Sequence, residues 1–347
     1  MLIYVGSYNL ANQPSIHGIK LCQINEQWQL QPQTTVDSIA SASYLHFDKP
    51  NQQLFAVSEI DTAADQASGW IAQFDLSQPL QPKLIAQQLS QGSHPCHLAL
   101  HKLGLVCSNY SGGNLAYFNI LGQTPLDKAA QLFQHHGSSI ISERQSQAHI
   151  HSASISPNGA WIVVADLGCD TLTTYGFDQN QGLQKVASFN MPAGSGPRHC
   201  AFHPSGAYLY VANELNNSIS QLSISEAGEL ALIETLAATD TDTLNYPAEI
   251  ALDSAGKFLY VSNRGDDSIS CFSVEPTLLQ LKYMASCPSG GKFPRHFAIS
   301  PDQCSLVVAN QQSNSINLLL RDPDTGHLTL TDTAYEVNAP SCICFID

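Results

Sequence analysis

Basic residues are scarce in this chain. Its 347 residues include 14 Lys and Arg against 29 Asp and Glu, which gives a formal net charge of −15. A chain with so little positive charge is a poor candidate for nucleic-acid binding. Charged residues of both signs make up only 12% of the sequence, whereas 43% is hydrophobic. Disorder requires the opposite balance, so the composition favours a folded protein with a large core.

Long hydrophobic runs and paired cysteine motifs are also missing. No apolar stretch approaches the roughly 20 residues of a membrane span. The first residues, MLIYVGSYN, lack the basic segment and the apolar stretch of a signal peptide. The ten cysteines include no CxxC pair, and Cys342 and Cys344 alternate as in a strand. We therefore expect a cytoplasmic protein with reduced thiols, no metal site and no membrane association.

A repeat of about fifty residues runs through the whole chain. Each copy is an apolar strand, a turn rich in Pro, Gly, Asn or Asp, a second β-rich strand, a polar turn and a third strand; most copies add a fourth. Four short strands per unit of this length are typical of a β-propeller blade. The clear copies are 194–224, 246–274 and 293–320, and the weaker ones are 94–120, 149–177 and a segment from Ala42.

The two ends of the sequence supply one more blade. Residues 339–347 match a first strand with nothing after it, and residues 2–9 match a second strand with nothing before it. Pairing these strands would close the ring and hide its edges. First strands then start near residues 43, 95, 150, 197, 247, 294 and 340. The sequence predicts an all-β fold, a seven-bladed β-propeller with one blade closed by the N- and C-terminal strands, as a single domain over 1–347.

Arginine is concentrated at one predicted mouth of the central channel. The first strand of a blade is innermost, and its start lies beside the end of the second strand because the two form a hairpin. The two residues after the first-strand proline and the two that close the second strand should therefore surround one mouth. Of the five arginines in the chain, Arg198, Arg264 and Arg295 fall in these positions. A positive ring on an acidic molecule suits an anionic ligand.

Other polar residues share these positions. Glu214 and Glu249 lie near several cations, so they could belong to the ligand site or to a structural ion-pair network. Asn109, Asn213 and Asn263 close second strands and are most simply turn residues, because Asn side chains bond nearby backbone. The remaining candidates for ligand contact near the same mouth are His149, His151, His199, His296 and Gln311.

These residues carry a family resemblance that covers essentially the whole chain. The segments HIHSASISPNGAWIVVADLGCD (149–170), GSGPRHCAFHPSGAYLYVANEL (194–215), FLYVSNRGDDSI (258–269) and GGKFPRHFAISPD (290–302) resemble the seven-bladed lactonase family. That family includes propeller-type 6-phosphogluconolactonases and fungal carboxy-muconate cyclases. The resemblance implies an enzyme without a cofactor that hydrolyses a sugar lactone, most commonly 6-phosphogluconolactone to 6-phosphogluconate in the pentose phosphate pathway. The expected partner is a small anionic lactone, with no nucleic acid and no obligate protein partner.

The resemblance also implies roles for particular residues. In the cyclase branch the proposed catalytic set is a histidine, a glutamate and two arginines, which fall by position on His151, Glu214, Arg198 and Arg264. The HIH sequence leaves His149 as an alternative to His151, which is preferred because it shares its position with Arg198. The predicted substrate-binding residues are His149, His199, Glu249, Arg295, His296 and Gln311.

The implied mechanism is direct attack of water on the lactone carbonyl. His151 or Glu214 would act as base or acid. Arg198 and Arg264 would contact the reacting group, and Arg295 would bind the anionic tail of the substrate. No GxSxG motif is present, which disfavours an acyl-enzyme.

Three alternatives remain open. A metal-dependent lactonase could use oxygens of Asn213, Asn263, Glu59 and Glu249, although the nearby arginines raise the cost of binding a cation. A muconate-type cycloisomerase would use the same groups as the hydrolase. A non-enzymatic binding platform is compatible with the fold. The stretch from Leu121 to Gln147 is longer than the usual connection between blades, and is interpreted as a lid or a surface excursion.

Overall fold

The strands of the computed structural model form seven four-stranded antiparallel sheets. The structure describes residues 1–10, 12–120, 124–127, 129–178, 181–277 and 279–346, so Leu121, Gly122, Gln123 and Lys128 of the long connection lie outside the described residues. Within the described ranges no helix is long and apolar enough to cross a membrane. The prediction of an all-β, seven-bladed propeller is confirmed.

The innermost strand of each sheet surrounds the central channel. Each inner strand contacts the inner strand of the next sheet, and the series closes into a ring. Their starting points agree with the sequence prediction to within about two residues. The inner strands are β4 (Leu45–Asp48), β8 (Pro95–His101), β12 (Ile150–Ile155), β16 (Pro197–Phe202), β20 (Tyr246–Leu252), β24 (Pro294–Ile299) and β28 (Pro340–Phe345).

The second and third strands are the most deeply buried because both of their faces pack against neighbouring blades. The second strands are β1 (Leu2–Ser7), β5 (Gln53–Ser58), β9 (Gly104–Asn109), β13 (Trp161–Asp166), β17 (Tyr208–Asn213), β21 (Phe258–Arg264) and β25 (Ser305–Asn310). The third strands are β2 (Ile16–Ile24), β6 (Trp70–Asp75), β10 (Asn114–Asn119), β14 (Thr171–Asp178), β18 (Ser218–Ile224), β22 (Ser268–Val274) and β26 (Ser315–Arg321).

The outer strands alternate between exposed and partly buried residues, as strands with one solvated face do. They are β3 (Gln27–Val36), β7 (Lys83–Leu89), β11 (Gln131–Gln134), β15 (Gly182–Asn190), β19 (Leu230–Ala237), β23 (Leu281–Pro288) and β27 (Leu328–Glu336). A single 3₁₀ turn (Gln311–Ser313) follows β25. The long connection supplies β11, so part of it belongs to a blade.

One blade joins the two ends of the sequence, as predicted. Its strand order is β28-β1-β2-β3, with Ile3 opposite Phe345 and Val5 opposite Ile343. The hydroxyl of Ser341 donates to the Gly6 carbonyl at 3.2 Å and the Ser43 carbonyl at 2.9 Å, which ties this blade to the next. The ring is therefore closed by backbone pairing between distant parts of the chain.

The core is divided among the blades. Its buried apolar side chains form seven clusters, and each cluster lies between adjacent sheets. Stability thus comes from contacts between neighbours, as in other repeat architectures. This packing leaves the polar residues at the ends of the inner strands for the channel.

A β-bulge recurs near the start of the inner strands. In β16, Pro197 pairs with Asn213 and His199 pairs with Ala212, so Arg198 has no partner on the second strand. A bulge inserts one unpaired residue and re-aims its side chain. The equivalent unpaired residues are Cys96 in β8, His151 in β12, Arg295 in β24 and Ser341 in β28.

Candidate active site

The bulged residues and the ends of the second strands meet at one mouth of the channel. Several of them line a cavity of about 190 Å³, and Arg198 contacts a residue of its wall without lining it. The long connection between β11 and β12 adds Arg144. The lining residues are Glu59, Cys96, Tyr110, Arg144, His151, Glu214, Arg264 and Arg295.

Glu214 is the centre of an ion-pair network at this mouth. It directly follows β17, and its carboxylate is 4% exposed. Oε1 accepts from Nη2 of Arg144 at 2.5 Å, while Oε2 accepts from Nη2 of Arg264 at 2.7 Å and lies 3.2 Å from Nε of Arg198. Burial alone would raise the pKa of Glu214, but Arg264, Arg198 and Arg144 together hold it well below its usual range. The carboxylate therefore stays ionised and gathers three guanidinium groups.

Arg198 and Arg264 are the two buried guanidinium groups of this network. Arg198 is 2% exposed, and its Nη1 has no hydrogen-bond partner among the described residues. Burial, followed by repulsion from Arg264 and Arg295, lowers the pKa of Arg198 to about 9. Arg264 donates from Nε to the Tyr246 carbonyl at 3.1 Å and lies over the ring of Phe293, 5.2 Å from its centroid. A buried donor without a partner is uncommon in folded proteins and marks Arg198 as a candidate ligand contact.

Arg295 has the most freedom to bind a ligand. It makes no hydrogen bond or ion pair with any described residue, and its guanidinium lies 5.2 Å from the ring centroid of Tyr8. The Tyr8 hydroxyl donates to Oε2 of Glu59 at 2.7 Å. Burial alone would lower the pKa of Arg295, but Tyr8, Glu59 and Glu214 raise it overall. Arg295 is thus a cation beside the cavity whose donors remain available.

The two histidines of the HIH sequence have different surroundings. His151 lines the cavity, is 5% exposed, and its Nδ1 has no partner in the described part of the chain. Burial, and then the positive charge of Arg198, lowers the pKa of His151 well below its usual value, so the imidazole is neutral near pH 7. His149 instead stacks on Tyr110 with centroids 4.4 Å apart, and its Nδ1 lies 3.1 Å from the Tyr110 carbonyl oxygen. The structure places only His151 on the cavity.

A second polar cluster lies deeper in the channel. Oε2 of Glu249 lies 2.8 Å from Nδ1 of His199 and 3.3 Å from Nε2 of His296. Burial raises the pKa of Glu249, lowers that of His296 to about 4, and lowers that of His199 well below its usual value. Glu249 and His199 line a different cavity, of about 560 Å³, together with Leu100, Phe202 and other residues at the far ends of the inner strands.

This arrangement differs from the expectation that both residues after each proline share one mouth. Successive side chains of a strand point in different directions, and the bulge re-aims only the first residue of each pair. Arg198 therefore contacts Glu214 at the arginine mouth, whereas His199 contacts Glu249 farther along the channel. Gln311 begins the 3₁₀ turn and does not line the 190 Å³ cavity.

Several cavity residues were missed by sequence reasoning. Cys96 and Tyr110 occupy the right positions in their blades, but their residue types give no reason to choose them. Glu59 is considered from the sequence only as a possible metal ligand. Arg144 lies in the irregular part of the long connection, where no repeat position marks it. That connection was interpreted as a lid or a surface excursion, and the structure shows that its described part also contributes a charged side chain to the cavity.

The asparagines that close second strands donate hydrogen bonds to other groups of the protein. The side-chain amide of Asn213 donates to Ser218 and Ser220, and that of Asn263 donates to Ser268 and Ser270. The Asn109 amide donates to Oδ1 of Asn114 and to the Ser90 carbonyl. These asparagines thus have partners within the protein, but most of the partners are side chains rather than the nearby backbone expected from the sequence.

The oxygen ligands suggested for a metal-dependent lactonase are not brought together. Glu59 lines the arginine cavity and Glu249 lines the other one. Across the described ranges, no group of three or more His, Cys, Asp or Glu side chains is placed to hold a metal ion.

The fold and the site together define a class of protein. The molecule is a seven-bladed propeller whose channel mouth holds four arginines, two carboxylates and a neutral histidine around a small cavity. Concave sites with a few convergent polar groups and perturbed pKa values are typical of enzymes that act on small molecules.

Comparison with known proteins identifies the family. Residues 2–345 match the model of the lactonase family of seven-bladed β-propellers, and the chain belongs to this family of cyclic-ester hydrolases. A 6-phosphogluconolactonase of Formosa agariphila is 34% identical, with 98% of each chain covered. A 6-phosphogluconolactonase of Bacillus subtilis is 29% identical, covering 99% of this chain and 97% of the relative. The solved structure of a periplasmic gluconolactonase of Pseudomonas aeruginosa has a TM-score of 0.91 at 28% identity, covering 100% of this chain and 99% of the other.

Proposed function

We propose that this protein hydrolyses 6-phosphogluconolactone to 6-phosphogluconate without a metal ion. The observation that carries this proposal is the charge of the cavity. Arg144, Arg264 and Arg295 line the cavity together with Glu59 and Glu214, and Arg198 contacts Glu214 from outside the lining. These four arginines exceed the two lining carboxylates by two positive charges. A phosphate monoester carries about −1.5 to −2 charges near pH 7, so a phosphorylated lactone matches this surplus. The names of two relatives support the same substrate.

The arginines divide into two groups by their surroundings. Arg198 and Arg264 are buried beside Glu214, where they can stabilise negative charge that develops on the lactone carbonyl oxygen. One such donor is typically worth about 3 kcal/mol of transition-state stabilisation. Arg295, with its donors unused, would bind the phosphate group of the substrate bidentately.

His151 is suited to move the proton. Its neutral imidazole would take a proton from the attacking water as the water oxygen bonds to the carbonyl carbon. The oxyanion then collapses, the bond from the carbonyl carbon to the ring oxygen breaks, and protonated His151 returns its proton to the leaving ring oxygen. The new carboxylic acid ionises and releases one proton to solvent. A base of this kind typically contributes about a hundredfold to ten-thousandfold in rate.

Glu214 is less suited to the role of base. Both oxygens of its carboxylate already accept from guanidinium groups, whereas Nδ1 of His151 has no partner in the described part of the chain. The position of Glu214 favours an organising role, in which it orients Arg198 and Arg264 toward the reacting carbonyl. The geometry thus supports His151 over Glu214 as the proton acceptor.

The first experiment compares hydrolysis of freshly prepared 6-phosphogluconolactone by the purified protein with the spontaneous rate, with and without EDTA. We expect turnover well above the spontaneous rate that EDTA leaves unchanged. Loss of turnover in EDTA would contradict the metal-free mechanism. Absence of turnover in both conditions would contradict the proposed substrate.

The paired variants His151→Gln and His149→Gln test the assignment of the base. We expect His151→Gln to lower kcat by about a hundredfold or more, because it removes the proton acceptor beside the cavity. His149→Gln should lower kcat far less, because His149 acts only by stacking on Tyr110. The reverse order would transfer the catalytic role to His149.

We also propose a cytoplasmic location. All ten cysteines are free thiols, as expected for a protein of a reducing compartment. Six of them pack within or against the buried apolar clusters: Cys107, Cys200, Cys271, Cys287, Cys342 and Cys344. Fractionation of cells that produce the protein at its natural level tests this, and recovery outside the cytoplasm would contradict it.

A further inference from the structure

Arg144 differs from the other arginines of this mouth in the part of the fold that carries it. It belongs to no strand and lies in the connection between β11 and β12. Its backbone is fixed by a tight turn, in which the amides of Arg144 and Gln145 donate to the Ile141 carbonyl at 3.0 and 2.7 Å. The Gln145 side chain is fully buried and donates to the Leu167 carbonyl at 2.9 Å. The turn is therefore anchored to the neighbouring blade, and the Arg144 side chain projects from a fixed point.

The ion pair of Arg144 with Glu214 is the most exposed of the three in the network. The Arg144 side chain is 39% exposed, against 2% for Arg198 and 6% for Arg264. Solvent screens an exposed ion pair, which is typically worth about 1 kcal/mol or less. Separating either buried arginine from Glu214 would instead leave a buried charge without a partner. Arg144 can therefore exchange Glu214 for another anion at the lowest cost.

Glu214 does not depend on Arg144 for its own charge balance. Its Oε2 keeps Arg264 at 2.7 Å and Arg198 at 3.2 Å, while Arg144 contacts only Oε1. A ligand that draws Arg144 away leaves the carboxylate held by two cations. The two remaining arginines keep their positions at the reacting carbonyl.

Arg144 and Arg295 line the same 190 Å³ cavity, so one ligand group can reach both. The Arg295 guanidinium has no hydrogen-bond partner among the described residues, and the half-exposed Arg144 is held by Glu214 and by the Tyr110 hydroxyl, which lies 3.4 Å away. Together, the two guanidinium groups have enough N–H donors to bond all three terminal oxygens of one phosphate monoester.

We propose that Arg144 is a specificity-determining residue that leaves Glu214 to bind, together with Arg295, an anionic group remote from the lactone ring, and so selects phosphorylated over unphosphorylated lactones. This inference rests on the proposed function, because it assigns the substrate class of the same site. Arg144 would act on recognition, whereas Arg198 and Arg264 would act on the reacting carbonyl.

The test compares 6-phosphogluconolactone with glucono-δ-lactone in the wild type and in Arg144→Gln. We expect kcat/KM for the phosphorylated lactone to fall about tenfold more than that for the unphosphorylated one, corresponding to about 1.4 kcal/mol of discrimination. Arg144→Lys should recover part of the ratio, because a lysine keeps the charge but loses the bidentate fork. Lys102→Gln, which makes the same charge change on an exposed residue away from this mouth, should leave the ratio unchanged. An equal fall with both lactones in Arg144→Gln would overturn the proposal.

Binding of the reaction products provides a readout independent of catalysis. Calorimetry should show that Arg144→Gln weakens binding of 6-phosphogluconate by about tenfold relative to any change for gluconate. If the wild type hydrolyses neither lactone, the proposed function fails, while this comparison still decides the role of Arg144. Equal weakening of both acids, or no weakening of either, would contradict that role.

Discussion

At the scale of single residues, Glu214 is the group on which the arginine mouth depends. Three guanidinium groups converge on one buried carboxylate. Without that charge the same groups would repel one another in a poorly hydrated space. Glu214 should therefore contribute to the stability of the fold, and this contribution can be measured separately from turnover.

We expect Glu214→Gln to lower the free energy of unfolding by about 3–5 kcal/mol at neutral pH, because it leaves buried arginines without their counterion. The pKa of Glu214 is depressed in the folded state, so its stabilisation is present above the unfolded value of about 4.3 and is lost as pH falls below it. The free energies of unfolding of wild type and variant, measured with guanidinium chloride as denaturant, should thus differ most near neutral pH and converge in acid. Glu143→Gln, an exposed neighbour of Arg144, is the matched control, with an expected change within about 0.5 kcal/mol.

The cavity residues that could be predicted from the sequence are those at repeated positions of the blades. Arg198, Arg264 and Arg295 were found because equivalent positions in different blades reach the same mouth. Arg144 was not found, since an irregular connection has no equivalent position elsewhere in the chain. The separation of His199 from Arg198 was also not predicted, because strand alternation alone does not show where a bulge inserts an extra residue.

At the scale of strands, neighbouring blades are joined by polar ties as well as apolar clusters. Arg321, at the end of β26, donates to Oδ2 of Asp253 at 2.7 Å, to the Tyr260 hydroxyl at 2.8 Å and to the Gln303 carbonyl at 2.7 Å. Its side chain is 1% exposed. The fifth arginine of the chain therefore holds the blade of β24–β27 against that of β20–β23, away from the arginine mouth.

We expect Arg321→Met to lower the free energy of unfolding by about 3–5 kcal/mol, since Asp253 loses its buried partner. Turnover should not change at temperatures where the variant is folded, because Arg321 touches neither the cavity nor Glu214. Adding Asp253→Asn should recover part of the stability, because the amide oxygen can still accept from the Lys257 and Phe258 amides. Thermal unfolding and lactone hydrolysis measured on the same samples check both statements; lost turnover in folded Arg321→Met would show a longer-range effect.

At the scale of the whole molecule, the inner strands carry a series of neutral imidazoles, four of them buried and that of His46 half-buried. Burial lowers the pKa of each of them, to about 4 for His46 and His296 and well below the usual value for the others. Glu249, whose pKa is raised by burial, is the carboxyl that faces His199 and His296. The series comprises His46, His97, His151, His199 and His296.

These histidines predict acid sensitivity. Because their pKa values are lowered on folding, their contribution to stability is fully present above the unfolded value of about 6.5 and is lost as pH falls toward about 4. The raised pKa of Glu249 changes the stability with pH in the opposite direction, but Glu249 is one group and the histidines are five. The guanidinium chloride concentration at the midpoint of unfolding should therefore fall steadily as the pH is lowered from about 7 to about 5. The slope should be smaller in His296→Gln and unchanged in His136→Gln, an exposed control; a flat profile in the wild type would contradict the buried neutral state.

The closure of the ring also sets the timing of folding. Ser341 and Gly6, which are bonded across β28 and β1, are 335 positions apart. At about 5–20 residues per second, a ribosome adds Ser341 roughly 15–70 s after Gly6. Throughout that interval β1 has an edge without its neighbour, while the six blades between can already form. Newly made chains should therefore be most vulnerable to aggregation at this seam. The residues that line the arginine cavity all lie between Glu59 and Arg295, so they can come together before the seam is sealed.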